Sequence, residues 1–283
     1  MEELTSFEER LVALEGTVSV WCGRPGLTAA YSRLPDATHY PASTMKIGVM
    51  AAAYRLADTG LLDLDAEVTV HDQFTSAVGG IFAMDPHYDS DTEVWNRLGD
   101  TASLRWLIRR MIVRSSNLAT NLVLEQVGYG AAQDAFRVAG DTRSITRRGI
   151  EDYSARDAGV DNEVTAADLA AQLSAIHSGR MASRDACAEM ISVLSAQELN
   201  TDLVRGLPSG VASASKNGWI TGVRHGAMLV LPEDTEPYVL VACATTPLAT
   251  SDEGDDPVCE TFADLSAIVW KNRHRLGAVV RAS

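Results

Sequence analysis

Apolar positions along the chain follow two periods, and the two are segregated in sequence. Short runs rich in β-branched and aromatic residues lie near both ends, in "GTVSVWC" from residue 16 and in "GAMLVLP" and "PYVLVACAT" between about 226 and 245. Between them the spacing is helical. In "HYPASTMKIGVMAAAYRL" Met45, Val49 and Ala52 recur on one face, and good helix formers fill most other positions after Pro41. "TASLRWLIRRMIV" and "SSNLATNLVLEQVG" read as two consecutive helices, and "TAADLAAQLSAIHSG" carries a threonine cap, an early acid and a terminal glycine. A further helix near 184–196 precedes the turn "GLPSG", and the amphipathic "PVCETFADLSAIVWKNRHRL" is suited to pack back onto the terminal strands. The pattern predicts an α/β (α+β) fold. One antiparallel sheet draws strands from both chain ends, residues 1–42 and 197–283, and an all-helical domain, 43–196, is inserted between them, with the active site at their junction. No internal repeat or low-complexity linker interrupts it, and the acidic "SDEGDD" at 251–256 reads as a solvated turn.

A chain of 283 residues can bury a substantial core, and its 46% hydrophobic content is that of an ordinary globular protein. Charge narrows the partners. With 24 basic against 38 acidic residues and a formal net charge of −14, and with no basic stripe, a nucleic-acid surface is not expected. No apolar run is long enough to span a bilayer, and "MEELTSFEER" is acidic where a secretory signal is basic and then apolar, so the expectation is a cytoplasmic chain unless a leader has been removed. Cys22, Cys187, Cys243 and Cys259 are widely spaced, without a C-x-x-C pair, which fits buried free thiols and gives a zinc site no support. Nothing in the sequence implies a metal or organic cofactor, and the oligomeric state is not legible.

One polar residue breaks the apolar side of the first long helix. Lys46 lies one turn after Ser43, so an amine and a hydroxyl share a helix face, an arrangement that makes a nucleophile. A Ser-x-x-Lys pair alone is weak, because the chain contains a second at Ser213 and Lys216, in a β-type run where the two side chains do not share a helical face. Order adds information: "SSN", Ser115 to Asn117, opens a helix, and "KNG", Lys216 to Gly218, ends the run "GVASASKNG". Read singly, Ser115 and Asn117 fit simple helix caps equally well.

Taken together, these three elements resemble those of the class A β-lactamase and penicillin-recognising serine hydrolase family, from about Gly16 to the last helix, with Ser116 in place of the family's aspartate and Asn217 in place of its threonine or serine. The resemblance implies Ser43 as the acylated nucleophile and Lys46 as its proton acceptor. It implies backbone N–H groups of Ser43 and Trp219 as oxyanion donors, Ser115 as a relay toward the leaving group, and Asn117 as the residue holding Lys46 and the substrate's amide. Lys216, with Asn217 and Gly218 beside it, and Arg224 or His225 would form a cationic shelf for a carboxylate on a small-molecule substrate.

One family element is missing. The hydrolytic glutamate sits in a Glu-x-x-Leu-Asn loop, whereas this chain has "ITRRGIEDYSARDAGVDNEVTAADLA". Counting from Ser115 reaches Glu151; aligning "ITR" reaches Asp152, which is preferred because that match needs no gap, and Asn162 is matched to the loop asparagine. Both acids could also simply balance Arg147 and Arg148. Three functions therefore compete: a β-lactamase, an esterase or acyltransferase on the same scaffold, and a penicillin-binding module that acylates without turnover. Lactam hydrolysis leads.

Overall fold

The computed structural model describes residues 2–140, 143–250 and 255–277, so residues 251–254 of the acidic run lie outside the described residues. In chain order the elements are α1 (Glu2–Ala13), β1 (Thr17–Gly23), β2 (Tyr31–Arg33), a 3-10 turn (Ala42–Met45), α2 (Lys46–Asp58), β3 (Glu67–Thr69), β4 (Gln73–Thr75) and β5 (Ile81–Ala83). Then come α3 (Thr92–Trp95), β6 (Thr101–Ser103), α4 (Leu104–Val113), α5 (Asn117–Ala139), α6 (Tyr153–Asp157), α7 (Ala166–His177) and α8 (Arg184–Ser195). The chain closes with β7 (Ala212–Ile220), β8 (Val223–Leu231), β9 (Tyr238–Thr245) and α9 (Pro257–Lys271).

The expected split sheet is present. Five strands run in the order β2-β1-β9-β8-β7, each pair antiparallel, so strands from the two ends of the chain interleave. Side-chain alternation gives this sheet two cores. Val18, Val20, Leu240 and Ala242 point to one face, where α9 supplies Val258, Phe262, Leu265 and Val269, and α1 supplies Phe7 and Leu11. Val239, Val241 and Cys243 point to the other face, toward α2, α4, α5, α7 and α8. Buried on both sides, β9 reads as a continuous apolar run rather than an alternating one. The helix α1 is absent from the sequence-based expectation, because the charged residues of its first turns mask the Phe7 and Leu11 pair that docks it.

The inserted segment is not all-helical. It contains two three-residue antiparallel ladders, β3 with β6 and β4 with β5, the second closed through Gly79 and Gly80 at φ of +90° and +82°. Strands this short and largely exposed leave no periodic signal. The long helix α5 also breaks at Gly128, with φ 74° and ψ 156°, the glycine that ends the helical pattern in the sequence. All four cysteines are buried and free. No helix among the described residues is long and apolar enough to cross a membrane.

Two helices carry the site, and their packing is close. Gly48 on α2 faces the ring of Phe136 on α5, where an added Cβ would lie 2.8 Å from the ring. Phe136 is fully buried. Phe136→Ala is expected to cost about 3–5 kcal/mol, from lost burial plus the cavity left between α2 and α5. Urea denaturation measures it.

Candidate active site

Ser43 sits in the 3-10 turn that leads into α2, and the turn is held by Thr44, whose Oγ1 and backbone N–H both donate to the Pro41 carbonyl, at 2.6 and 3.1 Å. One turn later the Lys46 side chain folds back. Its Nζ is 2.9 Å from Ser43 Oγ, 2.6 Å from the Ser115 carbonyl, 2.8 Å from Asn117 Oδ1 and 3.2 Å from Ser115 Oγ. The lysine is completely buried, and removal from water lowers its pKa to about 7, against the opposing pull of Asp89. Near neutrality a sizeable fraction is therefore the free amine, which can accept a proton from the adjacent hydroxyl.

The turn between α4 and α5 presents the other partners. Ser115 adopts a left-handed backbone at φ 58°, which aims its carbonyl and hydroxyl together at the lysine. The helix cap is Ser116, not Ser115 or Asn117: its Oγ accepts from the Ala119 N–H at 3.1 Å and donates to Asp89 Oδ2 at 3.2 Å. The same carboxylate oxygen accepts from Leu118 N–H at 2.8 Å and Trp95 Nε1 at 2.9 Å. Asn117 Nδ2 donates to the Tyr88 carbonyl at 2.7 Å. Sequence reasoning missed Asp89. The signal was indirect, a serine at 116 where the resembling family carries a carboxylate.

Strand β7 forms the opposite wall. A Cβ on Gly218 would fall 2.7 Å from the Ser43 nitrogen and 3.0 Å from that of Thr44, so only glycine permits this contact between the strand and the Ser43 turn. Asn217, Gly218 and Trp219 line the cleft with Ser43, Ser115 and Asn117, in a volume of about 710 Å³. Asn217 Nδ2 is tied to the Leu199 carbonyl at 2.8 Å. Lys216 is fully buried, with Nζ donating to the Asn217 carbonyl at 2.9 Å; burial and the nearby Lys46 hold its pKa well below that of a free lysine. Ser213, the rival serine, lies on β7 away from the cleft-lining residues.

The expected cationic shelf is corrected. Neither Arg224 nor His225 lines the cleft. As neighbours on β8 they point to opposite faces. Arg224 pairs in register with Trp219, lies 5.8 Å from its ring and is attracted to the buried Asp202, on the sheet face that α9 covers. His225 pairs with Gly218, and its Nε2 donates to the Tyr40 carbonyl at 2.7 Å behind the Ser43 turn. Burial lowers its pKa to about 4, so it is neutral. The cations that do reach the cleft are Arg148 and Arg156.

The preference for Asp152 over Glu151 is also corrected. Asp152 is fully buried outside the cleft, where it caps α6 through Ala155 N–H at 3.1 Å and accepts from Ser76 Oγ at 2.7 Å and Ala77 N–H at 2.8 Å. Glu151 lines the cleft. Its Oε2 accepts from Asp85 N–H at 2.8 Å, while Oε1 is buried without a partner among the described residues. Burial raises its pKa, against the opposing hydrogen bond from the Asp85 backbone and with the Asp89 charge adding to the rise. The loop is braced on both sides: Asn121 of α5 grips the Ile150 peptide at both N–H and carbonyl, each at 2.9 Å, and Arg148 closes the base against Asp161 at 2.8 Å. Asn162 belongs to that base, bonding the Arg147 and Arg148 backbone rather than facing the cleft. Asn121 was missed because one helical asparagine carries no signal by itself. No group of three or more His, Cys, Asp or Glu among the described residues is arranged to hold a metal ion.

The family model for the beta-lactamase enzyme family matches residues 6–272. No curated protein matches the chain in sequence. Among solved structures, a β-lactamase from Sphaerobacter thermophilus superposes with a TM-score of 0.77 at 23% identity, covering 96% of this chain and 97% of that one. A point mutant of PBP-A, solved as an acyl-enzyme complex with penicillin G, superposes at 0.77 with 20% identity, over 96% and 98%. The ancestral class A β-lactamase of Gram-negative bacteria gives 0.79 at 22% identity, over 96% and 98%. The chain belongs to the beta-lactamase enzyme family.

Gly218→Ala is expected to pry β7 from the Ser43 turn by several tenths of an ångström, since the three nearest atoms facing the new methyl, the Ser43 and Thr44 nitrogens and the Pro41 carbonyl oxygen, are all backbone. Reaction of Ser43 with a phosphonate probe should slow by roughly a hundredfold, the scale set by misplacing a reacting group. Time-resolved intact-mass measurement checks it.

Proposed function

We propose that this member of the beta-lactamase enzyme family is a serine hydrolase that opens β-lactams through an acyl-enzyme on Ser43. The carrying observation is the buried Lys46 amine, 2.9 Å from Ser43 Oγ with a pKa lowered to about 7. In the proposed first step Lys46 takes the Ser43 proton, a bond forms from Ser43 Oγ to the lactam carbonyl carbon, and the backbone N–H groups of Ser43 and Trp219 receive the oxyanion. The carbon–nitrogen bond then breaks, with Ser115 passing the proton to the departing nitrogen. Asn117 steers the substrate's amide. A carboxylate on the substrate is met by Asn217 and Arg156, in place of Arg224 and His225. In the second step Glu151 takes a proton from water, whose oxygen bonds to the ester carbonyl carbon; the bond from that carbon to Ser43 Oγ breaks, the proton returns to Ser43 Oγ, and the opened acid leaves.

A second reading, acylation with slow release, is favoured by one feature of the loop. One Glu151 oxygen is engaged by Asp85 N–H, and Asn162, the amide matched to the family's loop asparagine, is bound to the loop's own backbone. Fewer groups then remain to hold the deacylating water.

A chromogenic cephalosporin, followed in parallel by intact mass, separates the two readings. Hydrolysis with a transient adduct supports the first; a stoichiometric burst with lasting adduct supports the second. Adduct in Ser43→Ala would overturn both. The acylation rate should rise with pH through about 7, because the neutral form of Lys46 is the base and it gains population as pH passes its lowered pKa.

Glu151→Gln should leave acylation intact and slow release by about 10²–10⁴-fold, the usual worth of a general base, so that adduct accumulates. Asp152→Asn should lower stability by about 1–3 kcal/mol, because it disturbs buried hydrogen bonds, without adduct build-up. Single-turnover mass spectrometry and urea denaturation on the two variants distinguish these outcomes.

A further inference from the structure

Residues 88–90 are laced to the turn that carries Ser115 and Asn117 more tightly than a surface segment requires. Ser90 Oγ donates to the Arg114 carbonyl at 2.6 Å, the Tyr88 carbonyl accepts from Asn117 Nδ2 at 2.7 Å, and Asp89 Oδ2 gathers Ser116 Oγ, Leu118 N–H and Trp95 Nε1. The contacts bracket Ser115, whose left-handed φ of 58° is costly for a residue with a side chain and persists only where its neighbours over-determine it. Asp89 Oδ2 receives donors both from within the turn and from α3.

We propose that Asp89 is a positioning residue for the catalytic turn, supplying from a separate segment the carboxylate that position 116 lacks, and so fixing the Ser115 carbonyl and Asn117 amide on which Lys46 hangs. This rests on the function proposed above only for its kinetic readout. The physical argument is one of donors and acceptors. Three donors meet one oxygen, and an ionised carboxylate presents only lone pairs to them. An asparagine in the same place must either turn its NH₂ toward those donors or lose the other oxygen's bond to Asp91 N–H, at 3.1 Å. The turn then loosens, and the lysine loses two of its oxygen partners' fixed positions. An aspartate introduced at 116 would cap α5 as serine does and bring the carboxylate to the same turn from inside the helix.

The test is a swap. D89N should slow acylation of Ser43 about 10–100-fold with substrate affinity changed by less than about threefold, because the defect lies in geometry at the reacting atoms. S116D alone should also be impaired and less stable than the parent, because its carboxylate faces Asp89. The double variant D89N/S116D should recover acylation to within about threefold of the parent and exceed both single variants in melting temperature. Amide hydrogen exchange at Leu118 supplies a readout independent of any substrate: protection should fall in D89N and return in the double variant. If D89N does not fold, a folded double variant supports the proposal and a second unfolded protein overturns it. A double variant no better than D89N in both exchange and acylation also overturns it. Normal exchange behaviour of the swap in a protein whose Ser43 reacts with no lactam or phosphonate would sink the proposed function and leave the positioning role standing.

Discussion

A lysine amine sealed from water is the constraint around which this site is organised. Burying a cation without compensation is far more expensive than the few kcal/mol by which a domain is stable, so Lys46 either finds acceptors or loses its proton. It does some of each: two side-chain hydroxyls, a carbonyl and an amide oxygen surround Nζ, and its pKa still falls to about 7. Every acceptor except Ser43 comes from a part of the fold other than α2 and its leading turn. The packing of α2 on α5, the left-handed turn at Ser115 and the Asp89 segment can therefore be viewed as conditions for one amine to be poised between its two charge states.

The opposite wall follows from the same demand for close approach. The backbone of β7 reaches the Ser43 turn because position 218 has no side chain, and β7 itself is placed by β8 and β9, the strands whose apolar runs fill both cores. His225 joins the two layers. It is opposite Gly218 in the ladder and donates to the Tyr40 carbonyl, three residues before Ser43, while its ring meets that of His39 edge-on at 5.4 Å. Both histidines are kept neutral by burial, with pKa values lowered to about 4 and about 3, so no second charge intrudes beneath the serine. That is a structural role for a residue whose type suggested substrate binding.

What was legible in the sequence was what depends on spacing along one element. Ser43 and Lys46 share a helix turn, "KNG" ends a strand, and the split of strand-like and helix-like runs gives the sheet from both chain ends. What was not legible depends on pairing across elements. Strand alternation already implied that Arg224 and His225 face opposite ways, but only the register with Trp219 and Gly218 says which way each faces. Asp89 is 27 positions from Ser116, and its relation to the α5 cap is purely tertiary. Glu151 and Asp152 are adjacent and chemically alike, so alignment could not separate them. The chain chooses by conformation: Asp152 points inward as a cap, and the neighbouring left-handed Glu151 is turned into the cleft.

Strain marks the same places. Four non-glycine residues among the described ones have positive φ, Leu34, Ala42, Ser115 and Glu151, and the last three adjoin or line the cleft, at φ of 45°, 58° and 65°. Each such residue costs on the order of 1–3 kcal/mol, so each needs a brace nearby. Braces are present: the Pro41 carbonyl with Thr44 beside Ala42, the 88–90 segment beside Ser115, and Asn121 gripping the Ile150 peptide beside Glu151. The three braces differ in kind. A hydroxyl and backbone hold the Ser43 turn locally, a carboxylate from another segment holds the Ser115 turn, and an amide from α5 holds the loop. Because α5 carries Asn117 at its start and Asn121 one turn later, the groups proposed for the acylation and deacylation steps are referred to a single rigid helix. A displacement of α5 would then disturb both steps together, whereas a change confined to the loop would reach only the second.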